Sequence, residues 1–326
     1  MRAAYYERTG PAREVLTVGT VETPEPGAGE VRVRVHVSGV NPSDVKTRGG
    51  TTGRPLGAPR IIPHSDGGGV VDKVGAGVPA ARVGERVWIW NGQWQRASGT
   101  AAEYIAVPSA QAVRLPDGVD FAAAACLGIP ALTAWQAVAM DGGVSGHTVL
   151  VQGGAGAVGH YAIQFAKLQG ATVIATVSSA EKAVHARVAG ADATIDYRTE
   201  DVAARVRELT GGRLVDRVVE VDIAANGARL PDLLRPNGIV AVYGSGGPPV
   251  VPFGPSILKN ITYRFFIVYN QPPEIRAAGL AAVTNLLAQG RLVHAVGAHF
   301  PLDRIAAAHE AVEQGKVMGN VVVEIG

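Results

Sequence analysis

The chain has 326 residues, 47% of them hydrophobic and 18% charged, with a formal net charge of +2 at neutral pH. That length suits about two domains with sizeable cores, and so small a charge, with no basic tract, gives no footprint for nucleic acid. A single cysteine, Cys126, excludes an internal disulfide and suits a reducing compartment. The segment opening with Met1 has no apolar signal core and no run is long enough to cross a bilayer, so cytoplasmic residence is the expectation.

Residues 1–113 read as short strands punctuated by Gly and Pro; Val31, Val33, Val35 and Val37 alternate with Arg32, Arg34 and His36, as in an antiparallel strand with one wet face. From about residue 127 to 270 the texture changes to strand–helix repetition, which predicts a doubly wound parallel sheet. Its first unit is the most informative stretch of the chain. An apolar strand (149–151) runs into Gly153, Gly156 and Gly159, spaced three apart, and a helix with Tyr161, Ala162, Phe165 and Leu168 on one face follows. Gly170 stops that helix and Thr172 to Val177 read as a buried parallel strand. Strand, glycine turn, helix and strand in that order mark a dinucleotide site, in which backbone amides and the positive helix end meet a pyrophosphate. The candidate contacts are Gly153, Gly156, Ala157, Val158 and Gly159.

The end of the second strand bears on which dinucleotide. An NAD site places Asp or Glu there to accept hydrogen bonds from ribose hydroxyls. This chain has Ser178, Ser179 and, four residues after Ser178, Lys182, a set suited to a 2′-phosphate. The expected cofactor is therefore NADPH. Further strands are expected at 193–196, 215–221 and 239–243, then a run at 261–268 with no obvious helix before it. A helix is expected from Pro272 to about Gln289, and a last strand at 319–325.

Several separated motifs carry a family resemblance: Gly39-Val40-Asn41-Pro42-Ser43-Asp44, His64-Ser65-Asp66-Gly67-Gly68-Gly69, Gly84-Glu85-Arg86-Val87, Gly99-Thr100-Ala101-Ala102-Glu103-Tyr104, the glycine turn, and Gly315-Lys316-Val317-Met318-Gly319-Asn320. With them the chain resembles the zinc-free quinone oxidoreductase branch of the medium-chain dehydrogenase/reductase superfamily, over nearly its whole length. The resemblance implies an α/β architecture: a Rossmann domain (127–271) inserted into a split, mainly β, GroES-like catalytic domain (1–126 and 272–326), with the active site in the cleft. It also implies a homodimer paired through the edge strand 261–268, whose apolar edge would be a liability if left open. The resemblance gives Asn41, Asp44 and Thr133 roles near the nicotinamide and the acceptor, and adds Tyr197, Gly244, Ser245, Phe266, Ile267, Val268 and Asn320 to the cofactor contacts. Many relatives have a basic residue where this chain has Asn320.

No metal is expected. Zinc-containing relatives use a cysteine and a His-Glu pair where this chain reads Val40-Asn41 and His64-Ser65, and a four-thiolate lobe cannot be built from one cysteine. A structural hydrogen-bonding role is the reading for His64. Hydride delivery to an acceptor with its own electron sink needs least help from the protein. The expected activity is NADPH-dependent reduction of quinones or related conjugated carbonyls, small molecules in either case. A 2-enoyl or enone reductase, or a non-catalytic NADPH-binding structural or redox-sensing protein, are the alternatives. Lys46 and the segment from Trp88 to Trp94 stand as residues that could line the pocket, against an exposed lysine and core packing.

Overall fold

The computed structural model describes residues 1–53 and 55–326. They divide into two compact units, residues 1–130 with 280–326 and residues 131–279. The first unit opens with an antiparallel pair, β1 (Arg2–Tyr5) and β2 (Thr17–Thr20). β3 (Glu30–Val40) follows, with Val31, Val33 and Val35 buried and the arginines between them on the other face, as a period of two requires. α1 (Pro42–Gly49), β4 (Asp66–Val74), β5 (Arg86–Ile89), β6 (Tyr104–Pro108), β7 (Ala112–Arg114) and α2 (Phe121–Ala124) complete this part. Arg32 grips Asp72 of the adjacent β4 at 2.8 Å, a cross-strand ion pair. A Cβ on Gly68 would lie 2.6 Å from that of Ala124, so the glycine run of β4 lets α2 lie close on the sheet. Trp88 of β5 is fully buried, which makes it core.

The second unit begins with α3 (Leu132–Ala139) and continues as β8 (Thr148–Val151), α4 (Ala157–Leu168), β9 (Thr172–Val177), α5 (Ala180–Val188), β10 (Ala193–Asp196), α6 (Val202–Leu209), β11 (Val215–Glu220), β12 (Leu234–Val242), α7 (Phe253–Leu258) and β13 (Thr262–Phe265). The six strands are parallel in the order β10-β9-β8-β11-β12-β13. Counted from β8 this is 3-2-1-4-5-6, the dinucleotide-binding order whose direction reverses between β8 and β11. α4 is buried on more than the one face its periodicity suggests: every residue from Gly159 to Ala166 is buried, because α3 covers the side turned away from the sheet.

Two expectations are corrected here. The strand expected over 261–268 is limited to Thr262–Phe265, and the short helix α7 precedes it. Pro252, Gly254 and Pro255 conceal that helix in the sequence, since each reads as a breaker outside the first turn. α8 (Pro273–Ala288) leads the chain back to the first unit. There β14 (Val296–Pro301), α9 (Ile305–Glu313) and β15 (Asn320–Glu324) finish a seven-stranded sheet that includes the path β14-β15-β3-β4-β5-β7, with β6 beside β3. Val31, Val33, Val35, Leu302, Ile305, Val321 and Val323 share its core.

One buried charge ties the second unit together. Arg217, in the middle of β11, is 1% exposed and donates to the carbonyls of Val138 (2.8 Å), Ala137 (3.3 Å) and Met140 (3.0 Å) at the end of α3. It adds a donor to acceptors at the helix end, of which the Met140 carbonyl also receives the Gly143 N–H (3.1 Å), and sits at the negative end of the helix. Arg217→Met keeps most of the volume and takes the donor away from the Ala137 and Val138 carbonyls. It should destabilise the protein by about 2–4 kcal/mol, read as a lower urea midpoint by circular dichroism.

Candidate active site

The glycine turn stands at the carboxyl end of β8. Gly153 has φ +67°, the left-handed region that only glycine adopts without strain. A Cβ on Gly159 would collide with the Gly153 carbonyl, and one on Gly154 would lie 2.7 Å from the Cβ of Ala175. Gly156 is the N-cap of α4, so the free N–H groups of Ala157, Val158 and Gly159 open the helix directly after the turn. The turn is held in shape by Thr176: its hydroxyl accepts the Gly153 N–H (3.0 Å) and donates to Gln152 Oε1 (2.9 Å), while its carbonyl accepts the Gly154 N–H (2.9 Å). A cradle closed to side chains, at a helix N-terminus beside the point where strand order reverses, fits a dinucleotide pyrophosphate.

The other expected cofactor contacts in this unit follow the carboxyl ends of neighbouring strands. Ser178 comes immediately after β9 and is buried. Ser179 caps α5, its Oγ accepting the Lys182 N–H at 3.2 Å, which places Lys182 in the first turn with its side chain half-buried. Tyr197 follows β10 and is exposed, anchored by its N–H to the Val177 carbonyl (3.1 Å). Gly244 and Ser245 follow β12; a Cβ on Gly244 would strike the Val221 carbonyl, and Ser245 Oγ donates to the Gly247 carbonyl at 2.6 Å. Phe266 still donates its N–H to the Val242 carbonyl (3.1 Å) after β13 ends, Ile267 is exposed, and Val268 is buried with its carbonyl bound by Arg276. Thr133 is buried in the first turn of α3.

In the first unit the structure brings Asn41, Asp44 and Asp66 together. Asn41 is the N-cap of α1 and is 3% exposed; its Nδ2 donates to Asp66 Oδ2 at 2.8 Å, and its own N–H goes to Asp44 Oδ2 at 2.8 Å. Asn320 stands at the same sheet end, because β15 pairs with β3 with Val321 opposite Val40. Its Nδ2 donates to the Ala295 carbonyl (2.9 Å). Lys46 is exposed. Burial raises the Asp44 carboxyl to about 7, and Asp66, fully buried, is raised well above its ordinary value by the same cause.

Sequence reasoning did not find the partners of His64. Its Nδ1 lies 2.8 Å from Ser38 Oγ and its Nε2 lies 2.9 Å from Nε2 of His309, 245 residues later in the chain. Burial lowers the basicity of both rings, His309 to about 3. Among the described residues no three His, Cys, Asp or Glu side chains converge as a metal ligand set would. A separate cavity of about 590 Å³ in this unit, lined by Asp120, His294 and His299 among others, includes none of the residues singled out from the sequence.

Residues 27–117 match the family model of the alcohol dehydrogenase GroES-like domain, and residues 157–285 match that of the zinc-binding dehydrogenase. A quinone oxidoreductase of Pseudomonas aeruginosa is 33% identical over 95% of this chain and 95% of its own length. The chain belongs to the zinc-free quinone oxidoreductase branch of the medium-chain dehydrogenase/reductase superfamily. It is an oxidoreductase, and the GroES-like and Rossmann architecture of the branch is the one described above. A 2-haloacrylate reductase of a Burkholderia species is 32% identical, covering 99% of this chain and 98% of its own. Among solved structures, an NAD-dependent alcohol dehydrogenase superposes with a TM-score of 0.91 at 32% identity, over 100% of both chains. The quinone oxidoreductase of Escherichia coli complexed with NADPH gives 0.89 at 27% identity, over 99% of this chain and 100% of that one.

The buried carboxyl of Asp44 makes stability depend on pH. Its folded value of about 7 lies above the ordinary 3.8, so folding takes up a proton in that window. The contribution is complete below pH 4 and is lost as pH rises through 7. Asp44→Asn keeps an acceptor for the Asn41 N–H and removes the titration. Between pH 5 and pH 8 the wild-type protein should lose about 3 kcal/mol of stability relative to this variant, measured from urea midpoints of the two proteins at both pH values.

Proposed function

We propose that this oxidoreductase is an NADPH-dependent, zinc-independent reductase that passes hydride to quinones or related conjugated carbonyls. The observation that carries the reading is the end of β9: a buried Ser178 and the first-turn Lys182 stand where a carboxylate would select NADH. The NADPH complex of the E. coli relative supports it, while the NAD-dependent relative makes cofactor preference a matter for measurement. When bound, NADPH supplies the hydride. The Gly153–Gly159 amides and the start of α4 hold the pyrophosphate, and Ser178, Lys182 and Tyr197 hold the adenosine phosphate. Gly244, Ser245 and the backbone of Phe266, Ile267 and Val268 hold the nicotinamide half, with Asn320 a candidate contact from β15. Asn41 and Thr133 orient the acceptor, and Asp44 fixes Asn41 by accepting its N–H.

A conjugated acceptor of this kind delocalises the arriving electron pair itself, so orientation does most of the work asked of the protein. Reduction of a 2-enoyl compound or an enone is the second reading, favoured by the 2-haloacrylate reductase relative, whose named substrate is an α,β-unsaturated carboxylate. Following NADPH consumption over quinones, enones and enoyl thioesters separates the two: turnover of enoyl thioesters with none of quinones would sink the first. Lys182→Ala should weaken NADPH by about 1–3 kcal/mol, as expected for a charge-assisted phosphate contact, and leave NADH within twofold. Equal loss of both cofactors in titration calorimetry would refute the phosphate assignment.

The same reading includes a homodimer and cytoplasmic residence, the latter in keeping with the buried free thiol of Cys126. Among the described residues β13 pairs on one side only, and Phe265 of β13 with Phe253 and Leu258 of the preceding α7 are 59%, 75% and 86% exposed. A parallel-sheet edge flanked by so much apolar surface is suited to a second copy of itself. The double variant Phe253→Glu, Leu258→Glu should halve the solution mass measured by light scattering; an already monomeric wild-type protein would refute the dimer.

A further inference from the structure

Four polar side chains of the first unit form a buried line that the reductase reading does not use: His309 on α9, His64 before β4, Ser38 on β3 and Thr100 before β6. All four are 0% exposed. Their proton positions follow by elimination, beginning at the end where there is no choice. Thr100 Oγ1 lies 2.5 Å from the Asp66 carbonyl, which carries no hydrogen, so the Thr100 hydroxyl donates there. Ser38 Oγ, 2.7 Å from Thr100 Oγ1, must then donate to Thr100. With its one hydrogen spent, Ser38 accepts from Nδ1–H of His64 at 2.8 Å. A neutral His64 has a bare Nε2, which accepts Nε2–H of His309 at 2.9 Å. Every hydrogen in the line points the same way, from His309 to the main chain of Asp66.

What lies at that end gives the line its consequence. Asp66 receives the Thr100 hydroxyl on its carbonyl and the Asn41 amide on its carboxyl. At the other end, His309 Nδ1 is bare; burial chiefly holds the ring neutral, and the Arg48 guanidinium, which is paired with Glu313 and the Gly10 carbonyl, adds to it. Around the line the charged or titratable groups include Arg48 from α1, Glu313 at the end of α9, Asp44 and Asp66 beside Asn41, and Tyr6 and Cys126, which these charges reach. His64 also has φ +77°, a backbone state in which a residue with a Cβ is strained. The strain is tolerated with both ring nitrogens engaged, and such over-determined outliers concentrate at functional positions.

We propose that His309 and His64 are positioning residues of the reductase, a one-way hydrogen-bond line that fixes Asp66 and through it the amide of Asn41. The role rests on the reductase reading; the line itself does not. A merely structural pair would stabilise the fold and leave acceptor kinetics alone. Severing the line at either end should instead loosen Asn41 while the dinucleotide unit, which shares none of these residues, keeps its affinity.

Two measurements test it. In ¹⁵N-histidine-labelled protein at pH 7, long-range ¹H–¹⁵N spectra should show His64 protonated on Nδ1 only and His309 on Nε2 only; the opposite tautomer of either ring, or a charged ring, overturns the line. In kinetics with NADPH and a quinone, His309→Leu and the smaller change Ser38→Ala should each lower kcat/KM for the acceptor about tenfold, the value of one hydrogen bond, with the NADPH dissociation constant within twofold of wild type. His309→Gln, whose amide can donate to His64, should recover most of the loss. Unchanged kcat/KM in both severed variants, or parallel loss of NADPH binding and turnover, overturns the positioning role. Failure of the wild-type protein to reduce any conjugated acceptor overturns the reductase reading and the positioning role with it, while the tautomer spectra still decide the line.

Discussion

The approach of Gly159 to the Gly153 carbonyl is the contact on which the dinucleotide unit depends. A single methyl on Gly159 would collide with backbone, so β8 and α4 meet as closely as they do only because Gly159 lacks a side chain. Three things follow from the closeness. The first N–H groups of α4 are left uncovered at the point where strand order reverses. Thr176 of β9 is brought within reach of both the turn and Gln152, so the second strand sets the shape of the first turn. The chain leaving β9 then delivers Ser178 and the first turn of α5 beside the same place. The residues proposed to select the cofactor are thus placed by a local packing constraint.

Much of this was legible in the sequence because it is written in short-range patterns. The alternation of Val31, Val33 and Val35 needs only a period of two, and the glycine turn with its flanking strands needs only one βαβ unit of contiguous chain. Gly170, with φ +84°, ends its helix as its position suggests. Where the sequence misled, local signals competed. The apolar run from Ile261 onward reads as one long strand, but the ladder with β12 stops at Phe265, and Pro252 and Pro255 hide the helix that begins at Phe253.

The interior of the first unit was far less legible, and the reason is sequence distance. His64 has an identifiable place in a motif, but nothing local says that its partner is His309, which an entire inserted domain separates from it. Asp66 looks like one acidic residue at a strand start; only the fold shows that it receives the Asn41 amide and the Thr100 hydroxyl at once. Asn41 illustrates the limit best. Its position was found from the motif, whereas the engagement of its amide with a buried carboxyl depends on the register of β3 against β4, which pairs Gly39 with Asp66.

The electrostatic character of that interior narrows the chemistry it can support. Burial favours the uncharged form of each group, so Asp66 is held protonated and the His64 and His309 rings are held bare of a second proton. The two kinds of group pull stability in opposite directions with pH. Buried carboxyls are most favourable in acid, and imidazoles with lowered values lose stability as pH falls from about 6.5 towards 3. An uncharged Asp66 can orient the Asn41 amide without placing a negative charge beside a developing alkoxide. On the reading proposed above, the electron sink comes from the acceptor. A quinone or conjugated carbonyl supplies one by delocalisation and a simple ketone does not, so the proposed acceptor class asks least of such a site.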